Sequence, residues 1–287
     1  MTSISVQSAV LALLSSICFG SALVVGHVGL RYTSPLMGGT ISITFSTVLW
    51  ILLSPVFGDL SAWHLGGAIV FVIVGTFYPA AVMALTYESN RTIGPTLTGA
   101  VSSTTPVFAS AAAVLFLGET LTSSVILGGL VTVTGLALLA LREPVRAAPG
   151  WRLLLPLSGA LLRGIAQMAT KFGLLMWPSP FTAALVSYST STIVMWGVCS
   201  RTSNRGSGLT LTSIMWFVAV GTLNGSAVLL SYYALHHGSV AVVSTIISTY
   251  PLFTLLLSAA FLKSEKLTAK TALGVGTVIV GIITILH

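Results

Sequence analysis

The chain has 287 residues, of which 55% are hydrophobic and only 6% charged, and its mean hydropathy is +1.01. Soluble domains carry roughly 25% charged residues, so a water-borne globule is excluded and lipid is the solvent for most of the surface. The formal net charge of +7 does not point to nucleic acid, because the Lys and Arg residues sit in short connections between apolar stretches, where they act as topology signals.

A membrane helix needs about 20 mainly apolar residues. Met1 to Ser8 carries no Lys or Arg, unlike the start of a cleaved secretory signal, so the apolar run from Val10 to Gly26 is expected to stay as a first span. Breaks where charge, Pro, Gly and Asn cluster then predict spans over 6–29, 35–57, 64–87, 93–117, 122–141, 153–176, 180–199, 211–236, 239–262 and 268–286. The expected fold is all-α, a polytopic membrane protein of about ten transmembrane helices. It divides into five-helix units at 1–146 and 147–287. The longest connections, 142–152 and 200–210, have no room for a soluble domain.

The two units are copies. Pro106-Val107-Phe108 leads to Phe116-Leu117-Gly118-Glu119, and Pro251-Leu252-Phe253 leads to Phe261-Leu262-Lys263-Ser264-Glu265. Gly128 and Gly135 keep the same distances from Glu119 that Gly274 and Gly281 keep from Glu265, and Tyr87 and Tyr232 are 145 residues apart, as are Pro106 and Pro251. Five spans per unit make the copies enter the bilayer in opposite directions, so the repeats are expected to be inverted, as in many carriers. Arg31, Arg91, Arg142, Arg146, Arg152, Arg201, Arg205, Lys263, Lys266 and Lys270 all fall on one side. The positive-inside rule then places both termini outside the cytoplasm.

Ionisable groups inside a bilayer are expensive and face a cavity or a partner. Arg163, Gln167 and Lys171 are spaced four apart and form a stripe on one face of the sixth span. Arg163 is about 15 Å deep, at 1.5 Å per residue. It can line a cationic cavity or pair with a backbone carbonyl. Lys171 lies nearer the far end and can snorkel to the interface. Aligning Gly20 with Gly164 and Gly29 with Gly173 places His27 at the repeat position of Lys171. Asn224 is deep in the eighth span. Ser102, Ser103, Thr104 and Thr105 precede Pro106, and Ser248, Thr249 and Tyr250 precede Pro251. Proline inside a helix frees a carbonyl and kinks the axis, so Pro106 and Pro251 are expected to mark gating kinks whose hydroxyls satisfy the backbone or meet a ligand. Tyr87, Tyr232, Trp50, Trp63, Trp177 and Trp216 near span ends are expected to anchor at the interface. Gly128, Gly129, Gly135, Gly274, Gly276 and Gly281 call for close helix packing, within one molecule or in a homodimer.

No carboxylate falls in the middle of a span. Asp59, Glu119, Glu143 and Glu265 are in connections, and Glu88 ends the third span. Buried bases without buried acids fit anionic or zwitterionic solutes, such as amino or organic acids, better than lipophilic cations. Cys18 and Cys199 read as small buried side chains. There is no CxxC, HExxH or Gly-rich phosphate loop, so no metal and no nucleotide cofactor is expected.

Ala84-Leu85-Thr86-Tyr87, then Pro106, Phe108, Glu119, Gly128 and Gly135, resembles the EamA module of the drug/metabolite transporter superfamily. A second copy runs from Ser231-Tyr232 through Pro251, Phe253 and Glu265 to Gly274 and Gly281. The resemblance covers essentially the whole chain. It implies a ten-helix carrier with inverted halves and a central substrate cavity, and it leaves the cargo open among amino acids, sugars, nucleotide sugars, organic phosphates and cationic drugs. The chain departs from the family in having Ser42, Thr44 and Ser46 rather than an Arg early in the second span, and Cys18-Phe19 rather than a Trp before Gly20. The expected partners are a small-molecule solute and the lipid bilayer, and the expected location is a bacterial inner (plasma) membrane. An intramembrane enzyme and a channel are the rival classes. No deep nucleophile, base or metal pair favours the first, and duplication in one chain argues against the second. Exchange, proton coupling through His27 and facilitated diffusion remain alternatives for the driving force.

Overall fold

The computed structural model describes residues 5–60, 63–140, 150–201, 210–262 and 269–286. The expected boundary at 146, the basic residues Arg142, Arg146, Arg205, Lys263 and Lys266, and the acids Glu143 and Glu265 lie outside the described residues. Within the described residues the chain is all-helical. The first half comprises α1 (Val6–Gly29), α2 (Pro35–Phe57), α3 (Leu65–Phe77), α4 (Ala80–Ile93), α5 (Pro95–Ser102), α6 (Thr105–Leu117) and α7 (Ser123–Ala140). The second comprises α8 (Leu154–Met176), α9 (Pro180–Arg201), α10 (Leu211–His237), α11 (Val240–Ile247), α12 (Tyr250–Leu257) and α13 (Ala269–Leu286).

Seven segments of the described residues are long and apolar enough to cross a membrane, with α3–α4 and α11–α12 each counting as one. The apolar helices Thr105–Leu117, Ser123–Leu138 and Leu273–Ile285 are shorter. Side-chain caps start several helices, as their backbone amides require. Ser5 accepts from the Ser8 amide, Ser34 from the Met37 amide, and Thr210 and Ser213 form a reciprocal box.

Three spans are broken near a proline, which has no N–H to donate. The predicted 64–87 span is interrupted at Tyr78-Pro79 and runs on to Ile93, so Tyr87 lies well inside it. α5 and α6 part at Ser103-Thr104, ahead of Pro106, and α11 and α12 part at Ser248-Thr249, ahead of Pro251. Hydroxyls bond to carbonyls at these breaks, and one of them, Ser102 O, is the carbonyl that Pro106 leaves free. Thr104 donates to Val101 O (2.9 Å), Thr105 to Ser102 O (2.7 Å) and Thr249 to Ile246 O (2.7 Å).

The contacts between halves come in matched pairs. Ser42 Oγ donates to Phe217 O (3.0 Å) and Ser46 Oγ to Gly221 O (2.8 Å), joining α2 to α10. Their repeat equivalents Ser187 and Ser191 donate to Phe71 O (3.1 Å) and Gly75 O (2.6 Å), joining α9 to α3. Thr47 and Thr192, themselves repeat equivalents, share one hydroxyl–hydroxyl bond of 2.8 Å. α1 packs on α10 and α12, while α8 packs on α3, α4 and α6. Glycines permit these approaches. A Cβ on Gly20 would meet Tyr250 O at 2.7 Å, and one on its equivalent Gly164 would meet the Ala109 amide at 2.8 Å.

α7 and α13 pack mainly on each other. A Cβ on Gly128 would stand 2.6 Å from Gly281 O, and one on Gly135 would stand 3.0 Å from Gly274 O. These glycines therefore serve contacts inside the chain. Trp50 and Trp177, expected at the interface, are fully buried, as are Tyr87 and Tyr232. Trp177 packs edge-on against the exposed Trp63 (ring centroids 4.8 Å apart) and also near Phe71.

Candidate functional site

The middle of the bundle holds a small cavity of about 30 Å³ lined by Phe19 of α1, Tyr78, Tyr87 and Met83 around the α3–α4 break, Arg163 of α8, Asn224 of α10 and Tyr250 of α12, with smaller apolar neighbours. Both halves contribute, and they contribute matched positions. Phe19 is the repeat equivalent of Arg163, since Gly20 aligns with Gly164. Tyr78 is the equivalent of Asn224, in the same register as Phe71 with Phe217. The cavity is therefore lined by both halves at matched positions. The space is small, enough for a few waters at most, so an organic solute would need the cavity to widen.

Arg163 dominates the chemistry. It is 8% exposed and no described carboxylate pairs with it. Its Nη1 donates to Tyr250 Oη at 3.3 Å, while its Cζ lies 5.7 Å from the Phe19 ring centroid and 5.6 Å from that of Tyr250. Two aromatic faces thus carry the charge in place of an anion. Its Nε has no hydrogen-bond partner. One turn along α8, Gln167 is 4% exposed and its Oε1 is also unpartnered. Buried polar groups are ordinarily satisfied, but Gln167 does not line the cavity, and other buried groups, among them the Tyr188 and Ser244 hydroxyls, are likewise unpartnered.

The other sequence candidates separate from this cluster. Lys171 Nζ donates to Leu235 O (2.8 Å) and Gly238 O (3.0 Å), closing the C-terminus of α10. His27 Nδ1 lies 3.3 Å from Asn90 Oδ1, and Asn90 Nδ2 donates to Leu23 O. Ser103, Thr104 and Ser248 sit at the helix breaks and do not line the cavity, whereas Tyr250 does. Phe19 and Tyr78 were not put forward as binding residues from sequence, and Tyr87 was expected at the interface. The repeat would have found two of them, because each is the partner position of a polar residue already singled out.

A larger hollow of about 350 Å³ lies at one end of the bundle, lined by Ser34, Pro35, Leu36, Met37, Ala84, Glu88, Arg91 and Cys199. Its charged groups already satisfy each other, with Arg91 donating to Glu88 at 2.9 Å, and none of its lining residues has an unpartnered buried polar atom. The central cavity is the stronger site on chemistry, though the smaller in volume.

Apolar helices of membrane length, a duplicated chain and a polar pocket shared by both copies define an integral membrane protein of the transporter class. The family model described as the EamA-like transporter family matches twice, over residues 7–141 and 150–287, and the chain belongs to that family. One solved structure, described only as the crystal structure of a protein, superposes with a TM-score of 0.79 at 16% identity, over 98% of this chain and 96% of its own. That likeness concerns the fold. No curated protein matches the sequence.

Proposed function

We propose that the protein is a secondary carrier that moves a small organic solute bearing a carboxylate or similar anionic group, by alternating access between inverted halves. The observation that carries this reading is Arg163, a buried cation with no anionic partner among the described residues, lining a cavity built by both halves. A solute anion would supply the missing counter-charge, with charge-assisted hydrogen bonds stronger than the neutral Tyr250 contact. Asn224, which lines the same cavity, would meet a second polar group of a zwitterion, and Gln167, one turn from Arg163 but outside the lining, would join only when the cavity widens. The matched hydrogen bonds between halves support a two-fold relation, and five spans per half would make it inverted. The small cavity fits a closed state that must widen to load.

The aromatic walls support a second reading, in which Phe19, Tyr78, Tyr87 and Tyr250 hold a cationic or aromatic compound by their ring faces. The two readings part in a thermal-shift screen of the purified protein against amino acids, organic acids, phosphates and organic cations, since a ligand stabilises in proportion to its occupancy of the folded state. The anion reading expects carboxylates to stabilise the parent and to lose that effect in Arg163→Ala, with a smaller loss in Gln167→Ala. Equal stabilisation of parent and Arg163→Ala by anions overturns it. Stabilisation by organic cations that survives Arg163→Ala supports the second reading instead.

A further inference from the structure

The short connection Gly238-Ser239 between α10 and α11 is gripped from both ends. Lys171 of α8 takes the Leu235 and Gly238 carbonyls that close α10. Glu119, which follows α6 in the other half, accepts from the first amides of α11, Val240 N at 2.8 Å and Ala241 N at 3.4 Å. A carboxylate is well placed there, because a helix N-terminus carries open N–H groups and the positive end of the helix dipole. Ser8 adds a bond from α1 to Ala234 O at 2.9 Å. The gripped element then runs to the central cavity, since α11 ends at Ile247 and Tyr250, which opens α12, is held by Arg163. Among the spans, Val240–Phe261 is the most enclosed, with 83% of its apolar window inside the protein, and it meets both the gripped connection and the cavity.

We propose that Glu119 and Lys171 are positioning residues that latch one face of the transporter shut, and that the Arg163–Tyr250 contact is the inner end of the same latch. The inference builds on the carrier reading. When a solute anion takes Arg163, Tyr250 is released, α12 and α11 lose their inner tether, and the Glu119 contact alone no longer holds the face. Loading the site and opening the face are then one event, read through a single element.

The latch can be tested without any solute. Ser244, fully buried one turn into α11 with its hydroxyl unpartnered, gives a cysteine reporter beneath the latch. Ser89, fully buried near the far end of α4 and bonded to Thr98, gives one near the opposite face. With Cys18 and Cys199 replaced by Ala, maleimide labelling of Ser244→Cys is expected to speed up about 5-fold or more when Glu119 becomes Ala, the scale on which losing one such contact moves a closed–open equilibrium. Tyr250→Phe, far from the gripped connection, should speed it as well, and labelling of Ser89→Cys should stay level or slow in both. General loosening of the fold would accelerate both reporters together and overturn the latch. Unchanged labelling of Ser244→Cys in Glu119→Ala, or acceleration by Glu119→Ala but not by Tyr250→Phe, overturns it too. Because no ligand is used, failure of the anion screen would sink the anion reading and leave this result to stand or fall separately.

Discussion

Arg163, the residue on which the proposed site turns, shows what such a role would demand of a single side chain. A guanidinium held away from water without a counter-charge destabilises the fold, and the rings of Phe19 and Tyr250 offset that only in part. The substitution Arg163→Met keeps the volume and removes the charge. It is expected to leave stability unchanged or raise it, within the range of about 1–4 kcal/mol seen when buried ions give way to apolar side chains, while anion-dependent stabilisation is lost. A melting-temperature comparison with and without carboxylates checks both halves of that statement. Lys171 behaves in the opposite way. Its ammonium meets two backbone carbonyls, so Lys171→Met should lower stability by leaving the end of α10 unsatisfied. Sequence alone put both residues on one stripe. Only the packing separates the open cation from the satisfied one.

At the scale of elements, α2 with α10 and α9 with α3 are two editions of one contact. Ser191→Ala removes one hydroxyl-to-carbonyl bond and Ser46→Ala one hydroxyl shared between Gly221 O and Ser42 O, and each should cost about 0.5–1.5 kcal/mol. Gly221→Ala and Gly75→Ala should cost more, because the new Cβ would stand 2.6 Å from Ser42 O and 2.5 Å from Ser187 O, backbone atoms that cannot turn aside. Denaturation of the four variants in detergent ranks them. Most helices were legible beforehand because the bilayer dictates their length and the duplication dictates their order. The break at Tyr78-Pro79 was not, because hydropathy reads straight across it. That miss propagated. With α4 carried on to Ile93, Tyr87 lies six residues from the helix end, about 9 Å inside, so a residue expected at the interface lines the cavity instead. Trp177 was misjudged for a related reason. It does follow the end of α8, but that end tucks against Gly67 and Phe71 of α3 rather than facing lipid, and depth along one helix carries no information about its neighbours. Within the site, the charge at Arg163 was visible in isolation, whereas Phe19 and Tyr78 are ordinary residues until their repeat partners are considered.

For the whole molecule, the carrier reading makes transport a trade of roles between two similar halves. Reconstituted protein should show saturable uptake, and unlabelled solute on one side should drive labelled solute from the other. Linear, unsaturating flux without such exchange would mark a channel. The bond between Thr47 and Thr192 has a special standing in that trade, because each residue is the other's copy. On the carrier reading, exchanging the roles of the halves would map this bond onto itself, making it a fulcrum that stays put while everything around it tilts. A covalent staple between cysteines at these two positions should therefore leave turnover largely intact, whereas a staple from α11 to the Glu119 connection should arrest it.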